Sequence, residues 1–178
     1  MKNTNGTKRL YIYIMEKKDL EELRKLHNED GTLTKLSNVD HVSELDQEKW
    51  FFYMSESKQS KRYTVRLRTD NQLVGIFKID NIDLVNKSAI VGADVVEHLR
   101  QQGYAKEMYE YFFNHLFKNQ GFHRLGLVTL ENNNAAISLY EKIGFIKEGK
   151  EREAIFRNGK YYDLLTMSIL SNEWGKKD

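Results

Sequence analysis

Residues 88–130 read as strand, helix, strand, and this order constrains the fold more than any other feature of the chain. Residues 88–96 and 125–130 are short, largely apolar runs, typical of strands inside a sheet. Apolar residues recur between them at helical spacing: Met108, Tyr109, Phe112 and Leu116. A helix that joins two strands of one sheet forms a right-handed crossover, which leaves the strands parallel. The sequence therefore predicts a sheet with at least one parallel pair.

The first half of the chain adds antiparallel strands and two helices. Residues 10–14 read as a strand, and Tyr63, Val65 and Leu67 alternate with polar residues within 62–68, the pattern of a half-buried strand. A turn then leads into a third strand at 73–79. Between the first two strands lie two helical segments, the second with Ser43 as a candidate N-cap.

The second half ends in a helix and a long hairpin. Residues 134–143 have an apolar face and are followed by Gly144, a typical helix-ending residue, while Asn158-Gly159 predicts a tight hairpin turn. The element order is β α α β β β α β α β β. It predicts an α/β (α+β) fold with a central mixed sheet of about seven strands and helices on both faces. We expect residues 1–8 to be frayed and 9–174 to form a single domain.

Composition excludes several classes of protein. The 28 Lys and Arg nearly balance the 26 Asp and Glu, so the net charge of +2 gives no electrostatic case for a nucleic-acid partner. Cysteine is absent and the five histidines are scattered, so we expect no metal. No apolar run is long enough for a membrane span or a signal peptide. We therefore expect a cytoplasmic protein without a membrane partner.

The junction between the first strand and helix of the crossover carries a candidate anion site. It reads Arg100-Gln101-Gln102-Gly103-Tyr104-Ala105, or R-x-x-G-x-A. A glycine at a helix start lets backbone approach a ligand closely, and the first turn has unpaired N–H groups at the positive end of the helix dipole. This arrangement suits a phosphate or pyrophosphate, and Arg100 adds a positive charge beside it.

A second motif follows at Asn133: N-N-A-A-I-S-L-Y-E-K-I-G-F, ending at Phe145. Together with R-x-x-G-x-A and the tail from Arg157 to Trp174, it resembles the GNAT N-acetyltransferase superfamily. The resemblance is to the branch of ribosomal-protein N-terminal, spermidine and aminosugar acetyltransferases. It implies acetyl-CoA as cosubstrate, bound where the sheet splays open between strands four and five. The family's pattern usually has glycine at the positions of Gln101 and Ala105.

The resemblance also implies site residues. The cofactor-binding residues are expected to be Asp94, Val95, Arg100, Gln101, Gln102, Gly103, Tyr104, Ala105 and Asn133. Asp94 and Val95 would bind the pantetheine arm through their backbone, and the pyrophosphate would lie over the N–H groups of 101–105. Asn133 would contact the pantetheine arm, although an N-cap role is equally consistent with the sequence. Tyr140 would be catalytic, close to the thioester sulfur, although a core aromatic is the alternative.

The acceptor stays open at this point. A polyamine, a protein N-terminus and an aminosugar all fit the branch. Acidic residues near the loop at 28–40, among them Glu29, Asp30 and Glu44, suit a polyamine. Lys35, Lys61 and Arg62 suit a nucleotide-linked acceptor instead. The alternative function is a non-catalytic acyl-CoA-binding module, and a homodimer is open because relatives are often dimeric.

The general base stays unassigned. Relatives often have a glutamate at the position of Ile90, and the other candidates are Asp94 and Glu131.

Overall fold

A mixed seven-stranded sheet organises the computed structural model, which describes residues 6–33 and 40–175. Its strand order is β1-β2-β3-β4-β5-β7-β6. The strands are β1 (Leu10–Ile14), β2 (Lys61–Leu67), β3 (Leu73–Asp83), β4 (Ser88–Val95), β5 (Arg124–Leu130), β6 (Ile146–Arg157) and β7 (Lys160–Leu170). Only β4 and β5 are parallel neighbours, as the crossover predicts.

Five α-helices connect these strands within the described residues: α1 (Leu20–Asn28), α2 (Asp30–Leu33), α3 (Glu44–Glu56), α4 (Tyr104–Phe113) and α5 (Asn134–Ile143). A π-helical segment, Asn114–Asn119, continues α4. The predicted cap of α3 is present, because the Ser43 side chain accepts from the N–H of Asp46. None of the helices in the described residues is long and apolar enough to cross a membrane.

Helices cover both faces of the sheet, as predicted. On β3, neighbouring side chains point to opposite faces. Phe77 stacks on Phe112 of α4 with ring centroids 3.9 Å apart, whereas Ile76 lies with Leu23 and Leu26 of α1 on the other side. Most of the buried apolar residues form one continuous cluster, which extends from Leu10 to Ile169. The α4 face is held by aromatic packing, since Tyr109 meets Phe77 edge-on at 5.3 Å.

The parallel pair opens soon after it starts, which confirms the splay expected between strands four and five. Pairing between β4 and β5 covers three positions and ends at Ile90↔Gly126. Beyond this point β4 continues to pair with β3 as far as Val95, and β5 continues to pair with β7 as far as Leu130. The edges of Val91–Val95 and Leu127–Leu130 that face each other therefore bound a wedge.

Two segments differ from their prediction. The loop expected at 28–40 contains α2, and residues 34–39, with Lys35, lie outside the described residues. The frayed start expected for residues 1–8 lies outside the described residues over 1–5. Thr7, in contrast, is held by its backbone N–H, which donates to Leu10 at 2.9 Å, and by its carbonyl, which accepts from Arg68 at 2.6 Å. The contact with Arg68 joins residues 61 positions apart, so local composition could not indicate it.

Candidate active site

The wedge between β4 and β5 forms a cavity of about 890 Å³. It is bounded by Val91–Val95 on one side, Leu127–Leu130 on the other, and the first turns of α4 and α5. Among the residues singled out from the sequence, the cavity lining includes Asp94, Val95, Arg100, Gln101, Gly103, Tyr104, Ala105, Asn133 and Tyr140. Gln102 is not in the lining; its side chain donates to the carbonyl of His98 at 3.1 Å.

The loop before α4 presents free backbone donors. Gln101 and Gly103 both have positive φ, 62° and 83°, and Gly103 is the N-cap of α4. No described residue accepts a hydrogen bond from the N–H of Gln101, Gln102 or Gly103. The left-handed conformation at Gln101 explains why a glycine is common there, since it costs a non-glycine residue about 1 kcal/mol or more. The loop is thus a backbone cradle for an anion.

The guanidinium of Arg100 points to the other side of the loop. Its Nε donates to the carbonyl of Val95 at 2.9 Å and one terminal nitrogen donates to Thr32 Oγ1 at 2.7 Å. The same nitrogen lies 3.4 Å from Glu29 Oε2. Arg100 therefore ties α2 to the end of β4, so its guanidinium is engaged by groups of the described residues while the N–H groups of the backbone cradle are not. A cation on the cavity wall is instead supplied by Lys106 in the first turn of α4.

Two tyrosines meet at the inner end of the wedge. The rings of Tyr109 and Tyr140 lie edge-to-face with centroids 5.8 Å apart, and Phe145 packs against both. The Tyr109 hydroxyl is buried and lies beside Tyr140 and the backbone of Ala93, but it makes no hydrogen bond of good geometry to a described residue. Because Tyr109 lines the cavity, this orphaned group has capacity for a ligand.

Burial sets the protonation of this pair. It raises the pKa of Tyr109 well above its ordinary value, and the nearby Tyr140 reinforces the shift. Burial also raises the pKa of Tyr140, and the charge of Asp94 acts in the same direction. Both phenols therefore stay protonated near neutral pH. Tyr140 is suited to donating a hydrogen bond rather than to releasing its proton completely.

Asn133 combines the two roles left open by the sequence. It is the N-cap of α5, with its side-chain oxygen accepting from the N–H of Ala136 at 3.4 Å. It also belongs to the cavity lining. The long cap bond leaves the amide nitrogen of Asn133 available to a ligand.

A smaller cavity of about 250 Å³ adjoins the wedge on the α1 and α3 side. The two cavities share Thr32, Lys78 and Asp94. Lys78 Nζ lies 2.8 Å from Asp94 Oδ2, an ion pair at the passage between them. Gly92 leaves room for this pair, since a Cβ there would lie 3.2 Å from Lys78 Cε. Sequence reasoning did not single out Lys78, because its role depends on neighbours on other strands.

The other carboxylates weighed from the sequence are engaged elsewhere. Glu131 pairs with Lys150 at 3.3 Å, and Glu44 lies 3.7 Å from Arg24 with its side chain 81% exposed. Neither these two nor Glu29 or Asp30 belongs to the lining of the two cavities. Asp94 is therefore the carboxylate that both cavities share. In the described part of the chain no three acidic or histidine side chains cluster in a way that could hold a metal.

The wedge fits a thioester cofactor with a pantetheine arm. The β4 edge beyond Ile90 has no β5 partner, so it can pair with an extended amide-bearing chain. The unpaired N–H groups of the loop before α4 are of the kind that bind a pyrophosphate, and the Tyr109 hydroxyl also belongs to the cavity lining. The arrangement thus has a place for each part of such a molecule.

Comparisons with known proteins agree with this geometry. Residues 12–166 match the family model of an acetyltransferase (GNAT) domain. A putative ribosomal N-acetyltransferase of Bacillus subtilis is 28% identical over 59% of this chain, and the match spans 57% of that relative's length. The spermidine N(1)-acetyltransferase of Vibrio cholerae is 24% identical, over 93% of this chain and 95% of its own.

A crystal structure shares the fold. It is the spermidine N-acetyltransferase of Vibrio cholerae in complex with CoA and spermine, which superposes with a TM-score of 0.88 at 23% identity. The superposition covers 94% of this chain and 98% of the other.

Proposed function

This chain belongs to the GNAT acetyltransferase family, and from that premise we propose that it transfers the acetyl group of acetyl-CoA to a primary amine. The observation that carries the proposal is the open wedge, where an unpaired strand edge, a backbone anion cradle, the buried Tyr109 and the partly buried Tyr140 converge on one cavity. The names of the relatives, N-acetyltransferases acting on ribosomal protein or spermidine, agree with this reaction class.

Acetyl-CoA, when bound, supplies the activated acyl group, and the residues of the wedge do the rest. The N–H groups of 101–105 hold the pyrophosphate, and the free edge of β4 around Asp94 and Val95 together with Asn133 orients the pantetheine arm. A backbone N–H near Val95 stabilises the oxyanion that forms when the amine attacks the carbonyl. Tyr140 donates a hydrogen bond to the sulfur as it leaves as a thiolate.

Asp94 is the residue that we propose as the general base. An acceptor amine with an ordinary pKa near 10 arrives protonated and must lose a proton before it attacks. Asp94 lies in both cavities, so an amine that enters from the α1 side passes its carboxylate. It accepts the proton directly or through a water molecule. Ile90 is apolar and Glu131 lies outside the lining of both cavities, whereas Asp94, although paired with Lys78, belongs to both.

The acceptor enters through the smaller cavity, opposite the cofactor. Polyamine, protein N-terminus and aminosugar remain the three acceptor classes at this level of the proposal. A cytoplasmic location and a homodimer are also part of it, and neither is needed for the chemistry.

Release of free thiol from acetyl-CoA in the presence of a panel of amines tests the proposal. We expect thiol release that requires both the protein and an amine, with mass spectrometry showing an acetyl group on the amine nitrogen. Binding of acetyl-CoA with no acetyl transfer to any acceptor class would contradict the enzyme proposal and favour a non-catalytic acyl-CoA-binding module.

A further inference from the structure

The smaller cavity has an unusual distribution of charge. Its titratable side chains within the described residues are two cations, Arg62 and Lys78, one carboxylate, Asp94, and His27. Arg62 and Lys78 are directly opposite each other in the register of β2 and β3. Like charges in this position destabilise a sheet. Each cation has a carboxylate partner, Asp80 for Arg62 and Asp94 for Lys78, and these partners hold two neighbouring positive charges at the wall of the cavity.

Arg62 has hydrogen-bonding capacity that the protein does not use. Its side chain is 10% exposed and its terminal nitrogens bond to Asp80 and to the carbonyl of Ile79. Its Nε–H is buried and has no partner in the described residues. Gln47, also buried, lines the same cavity, and its side-chain amide makes no hydrogen bond to a described residue. Unused donors in a cavity call for an oxygen-bearing ligand.

The same cavity has no carboxylates to spare for a polycation. A second or third ammonium group needs its own anionic partner when it leaves water. Glu29 faces Arg100, Asp46 bonds Ser43 at 2.6 Å, and Glu48 lies 2.5 Å from Lys17. Residues 34–39 read TKLSNV and contain no Asp or Glu. Asp94 is left as the one carboxylate among the described lining residues, enough for a single amine.

From these observations we infer that the acceptor carries an anionic oxygen group, a carboxylate or a phosphate, on the same small molecule as its amine. This inference rests on the proposed acetyltransferase function. The Lys78–Asp94 ion pair is a template for such a molecule: the ammonium group replaces Lys78 beside Asp94, and the anion contacts Lys78 and Arg62. The acceptor then lies with its nitrogen at the passage to the wedge and its anion towards β2.

Matched acceptors test the inference. β-Alanine and O-phosphoethanolamine form the carboxylate and phosphate arms, β-alaninamide and ethanolamine are their uncharged counterparts, and spermidine is the polycation. At equal concentrations of neutral amine, we expect kcat/KM for at least one anionic member to exceed that of its counterpart by about 10-fold to 100-fold, the value of a hydrogen bond to a charged group. The arm with the larger increase in kcat/KM identifies the anion as a carboxylate or a phosphate.

Variants locate the effect. Arg62→Gln is expected to bring the ratio of anionic to uncharged acceptor close to one, and Arg62→Lys to restore part of it. Lys58→Gln removes a charge from an exposed position just before β2, outside both cavities, and is expected to leave the ratio unchanged. Acetyl-CoA affinity, measured by titration calorimetry, reports whether each variant is folded.

The outcomes separate the two levels of the proposal. Equal rates within both pairs, or spermidine as the best acceptor, would overturn the inference and leave the acetyltransferase function standing. If no amine is acetylated, the proposed function fails. Titration of β-alanine and O-phosphoethanolamine into the CoA complex then decides the inference: binding that Arg62→Gln abolishes sustains it, and absence of binding overturns it.

Discussion

Replacing Tyr109 by phenylalanine should stabilise the ligand-free protein and lower its affinity for acetyl-CoA. The change removes one oxygen and keeps the ring, which packs against Phe77 at 5.3 Å and Phe113 at 5.7 Å. The hydroxyl is buried next to Tyr140 and the backbone of Ala93 without a hydrogen bond of good geometry in the described part of the chain, and a buried hydroxyl left unsatisfied costs about 1–3 kcal/mol. We therefore expect the free energy of unfolding to rise by about 1 kcal/mol, or about 2–4 °C in Tm for a chain of this size.

The same substitution is expected to weaken the binding of acetyl-CoA. If the hydroxyl bonds the ligand, its loss reduces acetyl-CoA affinity by about 1 kcal/mol, near five-fold. Urea denaturation measures the first effect and titration calorimetry the second. Tyr161→Phe, at an exposed position in the β6–β7 hairpin, is the control and should change neither by more than about 0.5 kcal/mol. A Tyr109→Phe protein that is less stable than the parent would refute the reasoning, because the hydroxyl would then have a partner.

Three further predictions concern the chemistry and the fold. Tyr140→Phe should lower kcat about 100-fold with little change in the KM for acetyl-CoA. The reason is that the sulfur accepts a strong hydrogen bond only as it becomes a thiolate. Unchanged turnover in a thiol-release assay would remove Tyr140 from the mechanism. Asp94→Asn should also lower kcat about 100-fold while acetyl-CoA still binds, and full activity would exclude Asp94 as the base. Hydrogen bonds from Arg124 and Ser168 lower the pKa of Glu148 to about 2. The contribution of Glu148 to the free energy of unfolding is therefore present above pH 4.5 and is lost as pH falls towards 2. Because the Glu148 side chain is 37% exposed, Glu148→Gln should lower the free energy of unfolding, measured by urea denaturation, by less than about 1 kcal/mol at pH 7 and not at all at pH 2. An equal loss at both pH values would contradict the lowered pKa of Glu148.

The sequence predicts those parts of the fold that short-range chemistry decides. The helix expected at 134–143 is α5, ended by Gly144 in the left-handed conformation with φ of 109°. The hairpin turns at Asn158-Gly159, both with positive φ, as a type that this dipeptide favours. The parallel pair and the splay followed from the strand–helix–strand order and from the family resemblance. For the helix and the hairpin turn, a few neighbouring residues suffice for the prediction.

The site depends on contacts that are distant in sequence, and there local patterns failed. Arg100 carries a positive charge in the right motif, yet its guanidinium bonds Thr32, 68 residues away. Asp94 and Lys78 meet because β3 and β4 are neighbours. The orphaned hydroxyl of Tyr109 follows from packing on every side of the ring, whereas the sequence shows only an apolar helix face. The sequence could have flagged Lys78, because it is the one charged residue in the run 73–79, LVGIFKI.

Amide hydrogen exchange with and without CoA tests the central claim most directly. If the cofactor lies in the wedge, the amides of 91–95 that face the seam and those of the cradle at 101–105 become protected, while amides of 88–90, already paired with β5, change little. Protection confined to other surfaces, or no change at CoA concentrations in the high micromolar range, would contradict the account.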